Sequence, residues 1–218
     1  YASGFYPTIS GVGRSINYYP IGDEKADEGV VELALGLGKY IVDGGLCLRV
    51  CPHHPDKVLQ TSEMEIALRE TQTSFFALDT SPVDGAGQQG LQFQVDDAFN
   101  LKRVTVRDAD KDGSLRWIVS TYDPYDQCIY DGYYEGKNRK IVSFSGVLQN
   151  DVFPLPELLR KVLDYGQKEM GRPVEIEFAV NMDVPMGEKQ VFNLLQIRPI
   201  IRNEESAKLD WSKVDISN

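Results

Sequence analysis

The amino-acid sequence predicts an α+β fold: a mostly antiparallel sheet with flanking helices on one side. Three observations predict it. Short β-branched and aromatic runs, broken by glycine and proline, recur over most of the chain. One long segment, 155–170, repeats its apolar residues at helical spacing. Near the carboxyl end, runs at 174–180 and 191–199 flank a Pro-Met-Gly loop and read as strand, loop, strand. At 218 residues and 42% hydrophobic content the chain can bury a substantial core, so collagen-like, low-complexity and disordered classes fall away.

Charge narrows the partners. With 23 Lys plus Arg against 33 Asp plus Glu the formal charge is -10, a field that repels phosphate backbones and anionic membranes. No nucleic-acid or membrane role is expected. No apolar run approaches the roughly 18–20 residues of a membrane span, and the opening Tyr-Ala-Ser-Gly-Phe-Tyr-Pro lacks signal-peptide character. Cys47, Cys51 and Cys128 form no disulfide framework, so a cytoplasmic location is expected. Tyr1 stands where an initiator methionine would, and the opening reads as mid-domain, as in a piece of a longer polypeptide.

In chain order, Ser10 to Pro55 reads as strand, loop, strand, glycine turn, strand, with Val12 and Ile16, then Val30 to Leu35, then Ile41 and Val42 as the apolar runs. Glu63 to Thr73 has helical composition, and Ser81 to Gly87 is a loop. Leu91–Val95, Leu101–Arg107, Leu115–Tyr122 and Lys140–Val147 are expected to form an antiparallel meander. Leu155, Leu158, Leu159, Val162, Leu163 and Gly166 make one stripe of a helix, with Pro156 in its first turn and Gly171 and Pro173 as its stop. Residues 204–218 are polar and expected to be a linker or tail.

Side chains alternate along a strand, so Val174, Ile176, Phe178 and Val180 share one face and Glu175 and Glu177 the other, about 6–7 Å apart. Gln196 and Arg198 share a face of the returning strand, and antiparallel pairing sets that face beside the glutamates. Two carboxylates, an amide oxygen and a guanidinium then converge. A hard divalent ion such as magnesium suits these oxygen ligands, and magnesium commonly arrives with phosphates. A solvated sheet edge shows the same residue types, so periodicity alone leaves both readings open.

The segment Gly171-Arg172-Pro173-Val174-Glu175-Ile176-Glu177-Phe178, followed by Leu195-Gln196-Ile197-Arg198-Pro199, resembles the end of the ATP-grasp nucleotide-binding domain of the phosphoenolpyruvate synthase and pyruvate phosphate dikinase family. Its G-R-P-x-D-I-E-W/F and x-Q-x-R-P strands are similar to these. Upstream, Ser10-Gly11-Val12 resembles the family's S-G-V-M-F stretch, Glu32 to Gly38 its E-A-x-x-G-L-G-E turn, and Pro55-Asp56 its P-D-x-Y/F. Glu175 stands where the family has aspartate, and Lys39 where it has glutamate. Residues 67–150 carry none of these motifs and are expected to be a β-rich insertion in a subdomain spanning 1–203.

The resemblance implies the C-terminal subdomain of an ATP-grasp fold, with ATP as substrate and Mg2+ as cofactor. It implies that Glu177 and Gln196 hold the metal, that Glu175, Glu177, Gln196 and Arg198 form the nucleotide site, and that Arg198 acts catalytically on the ATP phosphates. The parent enzyme would be a pyruvate, water (or phosphate) dikinase that makes phosphoenolpyruvate through a phosphohistidine. Its N-terminal ATP-binding half, phosphohistidine domain and pyruvate-binding barrel have no counterpart in these residues, so the isolated chain is expected to be inactive. A dikinase with a glucan or antibiotic acceptor, and a non-catalytic interaction module, are the alternatives.

Weaker signals read as structure. Asp108-Ala109-Asp110-Lys111-Asp112-Gly113 begins like a calcium loop, but Val119 occupies the position of the bidentate acid and a polar hairpin turn is expected. Cys47, Cys51, His53 and His54 raise zinc, yet their spacing fits no standard knuckle and ordinary burial is expected. Gly36, Gly38, Gly44 and Gly45 lack the Lys-Ser/Thr end of a P-loop and read as tight turns. Tyr122, Tyr125, Tyr130, Tyr133 and Tyr134 are expected to pack within the meander, the alternative being sugar or domain binding.

Overall fold

The computed structural model describes residues 1–79, 100–136, 138–185 and 187–201. In chain order its elements are β1 (Ile9–Arg14), β2 (Val30–Ala34), α1 (Lys39–Val42), β3 (Leu48–Val50), α2 (Met64–Glu70), β4 (Ser74–Leu78), β5 (Leu101–Thr105), α3 (Val106–Asp112), β6 (Val119–Asp123), β7 (Cys128–Asp131), β8 (Arg139–Val142), α4 (Ser145–Leu148), α5 (Leu155–Met170), β9 (Val174–Asn181) and β10 (Val191–Pro199). Residues 26–28 and 59–61 add short 3-10 turns. The fold is α+β, and every strand pair among the described residues is antiparallel. No described helix is long and apolar enough to cross a membrane.

One sheet carries both ends of the chain, in the order β10-β9-β1-β2-β3. Alternation decides its faces. Val174, Ile176, Phe178 and Val180 of β9 are buried, as are Ile9 of β1, Val31 and Leu33 of β2, and Leu48 and Val50 of β3. Helix α5 lies on this apolar face, burying Leu155, Leu159 and Leu163, each contributing about 1.5–3 kcal/mol of transfer free energy. Gly166 lets α5 come close, since a Cβ there would fall 2.6 Å from Ile197 and 3.2 Å from Val174. Gly11 makes the same kind of concession on β1, where the ring of Phe178 fills the space of a side chain.

The hairpin β4-β5 and the three-stranded sheet β7-β6-β8 do not stand apart. Phe75, Val104, Val106, Leu115, Ile118, Val119, Val142 and Phe144 join the same buried cluster as the large sheet and α5. The described residues of 67–150 thus share one core with the strands around them.

Several local expectations are corrected. Ile41 and Val42 belong to the single helical turn α1 rather than a strand; Tyr40 and Ile41 bury against Val12 and Ala34 from that turn, and so short an apolar run does not distinguish the two conformations. The strand from Leu101 stops at Thr105, because the Thr105 hydroxyl accepts the Asp108 N–H at 3.2 Å and starts α3. Asp108 to Asp112 is therefore helix, not a hairpin turn, and Gly113 ends it. The Asp108 carboxylate accepts from the Thr105 hydroxyl and the Lys111 ammonium rather than presenting a cation loop. Strand β6 starts at Val119, later than expected, and β8 ends at Val142 before Phe144, at φ 53°, turns the chain into α4.

The meander order is also replaced. Strand β5 pairs with β4 rather than with β6, while β6 pairs with β8 as expected and takes β7 on its other edge. Tyr125, Tyr130 and Tyr134 are exposed rather than packed. The expected strand Leu91–Val95, the loop 81–87 and the tail 204–218 lie outside the described residues.

Candidate functional site

The second face of the large sheet is polar where β10, β9 and β1 meet. Cross-strand register sets Gln196 opposite Glu177 and Arg198 opposite Glu175, so all four groups singled out in the sequence share one face. Their alignment depends on a β-bulge between Leu194 and Gln196, with Leu195 as the additional residue. In a regular ladder with the same start, Leu195 would oppose Glu177 and Ile197 would oppose Glu175. The bulge turns Ile197 to the core, against α5, and Gln196 and Arg198 to the polar face.

Strand β1 extends both rows. Arg14 stands opposite Glu175 on its other side, and Val12 opposite Glu177. Beyond Val12 the row continues through Glu32 to Arg49. Arg14 and Glu32 are therefore neighbours of the site that sequence reading did not single out. Val12 and Arg14 alternate with the core positions of β1, a local signal, but nothing local announces that β1 pairs with a strand some 160 positions later.

Glu175 is held by two guanidinium groups. Arg14 Nε donates to its Oε2 at 2.7 Å, Arg198 Nε donates to its Oε1 at 2.9 Å, and Arg198 Nη2 donates to the same Oε1. Burial pushes the Glu175 carboxyl up, but the hydrogen bonds from Arg198 and Arg14 and their charge outweigh it and hold the group below its ordinary value. The Arg198 guanidinium is raised in turn, chiefly by its hydrogen bond to Glu175. Arg14 also lies 4.0 Å from Glu32.

Glu177 differs. Half-buried beside this row, its side chain makes no hydrogen bond or ion pair among the described residues, and neither does that of the exposed Gln196 opposite it. One carboxylate is thus neutralised by arginines, while the other, with an amide facing it, keeps its oxygens available. Carboxylate and amide oxygens are the donor set of a hard cation, so Glu177 and Gln196 fit Mg2+ and Glu175 does not.

A glycine turn borders the same face. The Ser10 hydroxyl, two residues before Val12 and hence on its side of β1, donates to the Gly36 carbonyl at 2.7 Å. Gly36 has φ 88°, and a Cβ there would lie 2.5 Å from the Phe75 ring, so only glycine suits the position. After the turn, α1 covers Val12 and Ala34. Lys39, the departure noted in this turn, pairs with Asp43 one helical turn on, at 3.2 Å.

A family model described as pyruvate phosphate dikinase, AMP/ATP-binding domain, matches residues 4–215. The chain belongs to this family. None of the curated proteins compared with it gives a match. As a pyruvate phosphate dikinase AMP/ATP-binding domain it is an ATP-binding domain of a dikinase-type phosphotransferase family, and the matched span runs through 67–150 as well as through both motif-bearing ends.

Proposed function

We propose that the chain is the ATP-binding portion of a multidomain phosphotransferase that makes phosphoenolpyruvate from pyruvate and ATP, through a phosphohistidine held elsewhere in the complete protein. The observation that carries this reading is the division of labour on the polar face: Glu175 is hydrogen-bonded by Arg14 and Arg198, while the side chains of Glu177 and Gln196 make no hydrogen bond or ion pair among the described residues. Glu177 and Gln196 hold Mg2+, which when bound offsets the charge of the ATP phosphates. Arg198 turns its exposed guanidinium to the phosphates and is the catalytic cation. Glu175 serves the site by positioning Arg14 and Arg198. Leu194 and Leu195, exposed on the outer strand beside Gln196, offer an apolar margin to the N-terminal half of the ATP site.

The test uses the complete polypeptide. ATP-dependent histidine phosphorylation is followed in Glu177→Gln, with a loss of about 100-fold or more expected while the unfolding midpoint holds. Retention of full activity would defeat the assignment. Transfer from the phosphorylated protein to pyruvate, rather than to a glucan or an antibiotic, checks the acceptor.

The exposed Tyr125, Tyr130 and Tyr134 favour a second reading in which the 119–134 segment binds a partner and the nucleotide site is vestigial. Wild-type protein that fails to bind ATP with Mg2+ would select it.

A further inference from the structure

At the opposite edge of the large sheet from Gln196 and Arg198, a second group of ligand-type side chains converges. Glu28 ends the 3-10 turn before β2, and Cys51 and His54 follow β3. Their donor atoms, a Glu28 carboxylate oxygen, the Cys51 sulfur and a His54 ring nitrogen, all lie within 4.8 Å of one another. Glu28 Oε2 is 3.0 Å from His54 Nε2 and 3.9 Å from Cys51 Sγ. A zinc ion bound tetrahedrally through these three atoms would hold the oxygen and nitrogen about 3.3 Å apart and the oxygen and sulfur about 3.5 Å apart. Shifts of a few tenths of an ångström close these two differences, and the sulfur and the ring nitrogen already lie within 4.8 Å of each other.

Two backbone devices present the ligands. The His54 N–H donates to the Cys51 carbonyl at 2.9 Å, a tight turn that brings a Cys-x-x-His pair onto one side. The Lys25 N–H donates to the Glu28 carboxylate at 2.9 Å, fixing its direction, and a His53 ring nitrogen meets the Glu28 carbonyl at 3.1 Å. Cys51 is fully buried, whereas the Glu28 and His54 side chains are 16% and 23% exposed, which leaves an entry from solvent. Sulfur, imidazole and one carboxylate select a borderline-soft ion over Mg2+ or Ca2+.

We propose that Glu28, Cys51 and His54 form a zinc site, with the fourth position open to solvent, that ties the three-residue edge strand β3 to the turn preceding β2. Binding releases the Cys51 thiol proton, and the His54 imidazole proton moves from Nε2 to Nδ1 so that Nε2 is free to ligate. The site is independent of the nucleotide reading.

Cobalt(II) is the probe, titrated into the metal-free full chain. The expected result is saturation at one equivalent, with ligand-field bands and a near-ultraviolet thiolate-to-cobalt charge-transfer band that zinc abolishes and excess Mg2+ does not. Cys51→Ser loses the charge-transfer band, His54→Ala weakens binding by about 10- to 100-fold or more, and Cys47→Ser changes neither. Since Cys51 is buried, His54→Ala, at an accessible turn, is the arbiter where the Cys51 variant fails to fold. A spectrum that does not saturate, a charge-transfer band that survives in Cys51→Ser, or unchanged affinity in His54→Ala overturns the proposal.

Discussion

Replacing Glu175 by Gln measures how firmly Arg14 and Arg198 are held, and the geometry says that the two are held unequally. The Glu175 side chain is 12% exposed and Arg14 37%, with their contact at 2.7 Å, whereas Arg198 is 58% exposed. A hydrogen bond to a charged group in a partly buried setting contributes about 1.5–3 kcal/mol, and an exposed ion pair about 0.2–1 kcal/mol. Double-mutant cycles with Arg14→Met and Arg198→Met are therefore expected to give a coupling to Glu175 of about 1.5 kcal/mol for Arg14 and about 0.5 kcal/mol for Arg198. Glu175→Gln alone should cost about 2 kcal/mol, lowering a urea midpoint by about 1 M if the slope is about 2 kcal/mol/M. The assay is equilibrium unfolding of the full chain by circular dichroism. A coupling for Arg198 equal to or above that for Arg14 would refute the reasoning that the two arginines are held unequally. Zero coupling for both would refute the row itself.

Other outcomes follow from the same structure. Because Glu175 titrates below the ordinary carboxylate value in the folded chain, its contribution is present above that ordinary value, about 4.3, and is lost as pH falls through the lowered one. The urea midpoint of the wild type should thus fall more steeply between about pH 6 and about pH 3 than that of Glu175→Gln, and equal slopes would contradict the pairing. Gly36→Ala places a methyl group against Phe75 at a left-handed position and should cost about 2–4 kcal/mol, read by thermal unfolding. Leu159→Ala, emptying a fully buried site on α5, should cost about 2–5 kcal/mol, while Arg160→Ala on the same helix outside that core should stay within about 1 kcal/mol.

Local periodicity made α5 legible to the residue, since a stripe at helical spacing with Pro156 in its first turn and Gly171 after its last admits little else. Strand β9 was legible for the same reason, its alternation being complete over Val174 to Val180. Short segments were not. Ile41 can bury from a helical turn as well as from a strand, Val42 beside it is exposed, and the start of α3 hangs on one hydroxyl, that of Thr105. Cys51 and His54 drew notice together with Cys47 and His53, but their companion in the structure, Glu28, lies on another segment and carries no spacing signal.

What the sequence by itself determined is therefore the inventory: an α+β chain, its principal helix, and the four residues Glu175, Glu177, Gln196 and Arg198 with the face each pair takes on its own strand. Those properties follow from periods of 3.6 and 2 that are written along the chain. Tertiary structure alone decided how the pairs meet. The bulge at Leu195 sets the register that lays Gln196 on Glu177, and β1, brought from the far end of the chain, inserts Arg14 against Glu175. The physical reason is that pairing is chosen by what the opposite face buries. Phe178, Ile176 and Ile197 must all reach the core against α5, and the polar groups behind them take the alignment which that packing dictates.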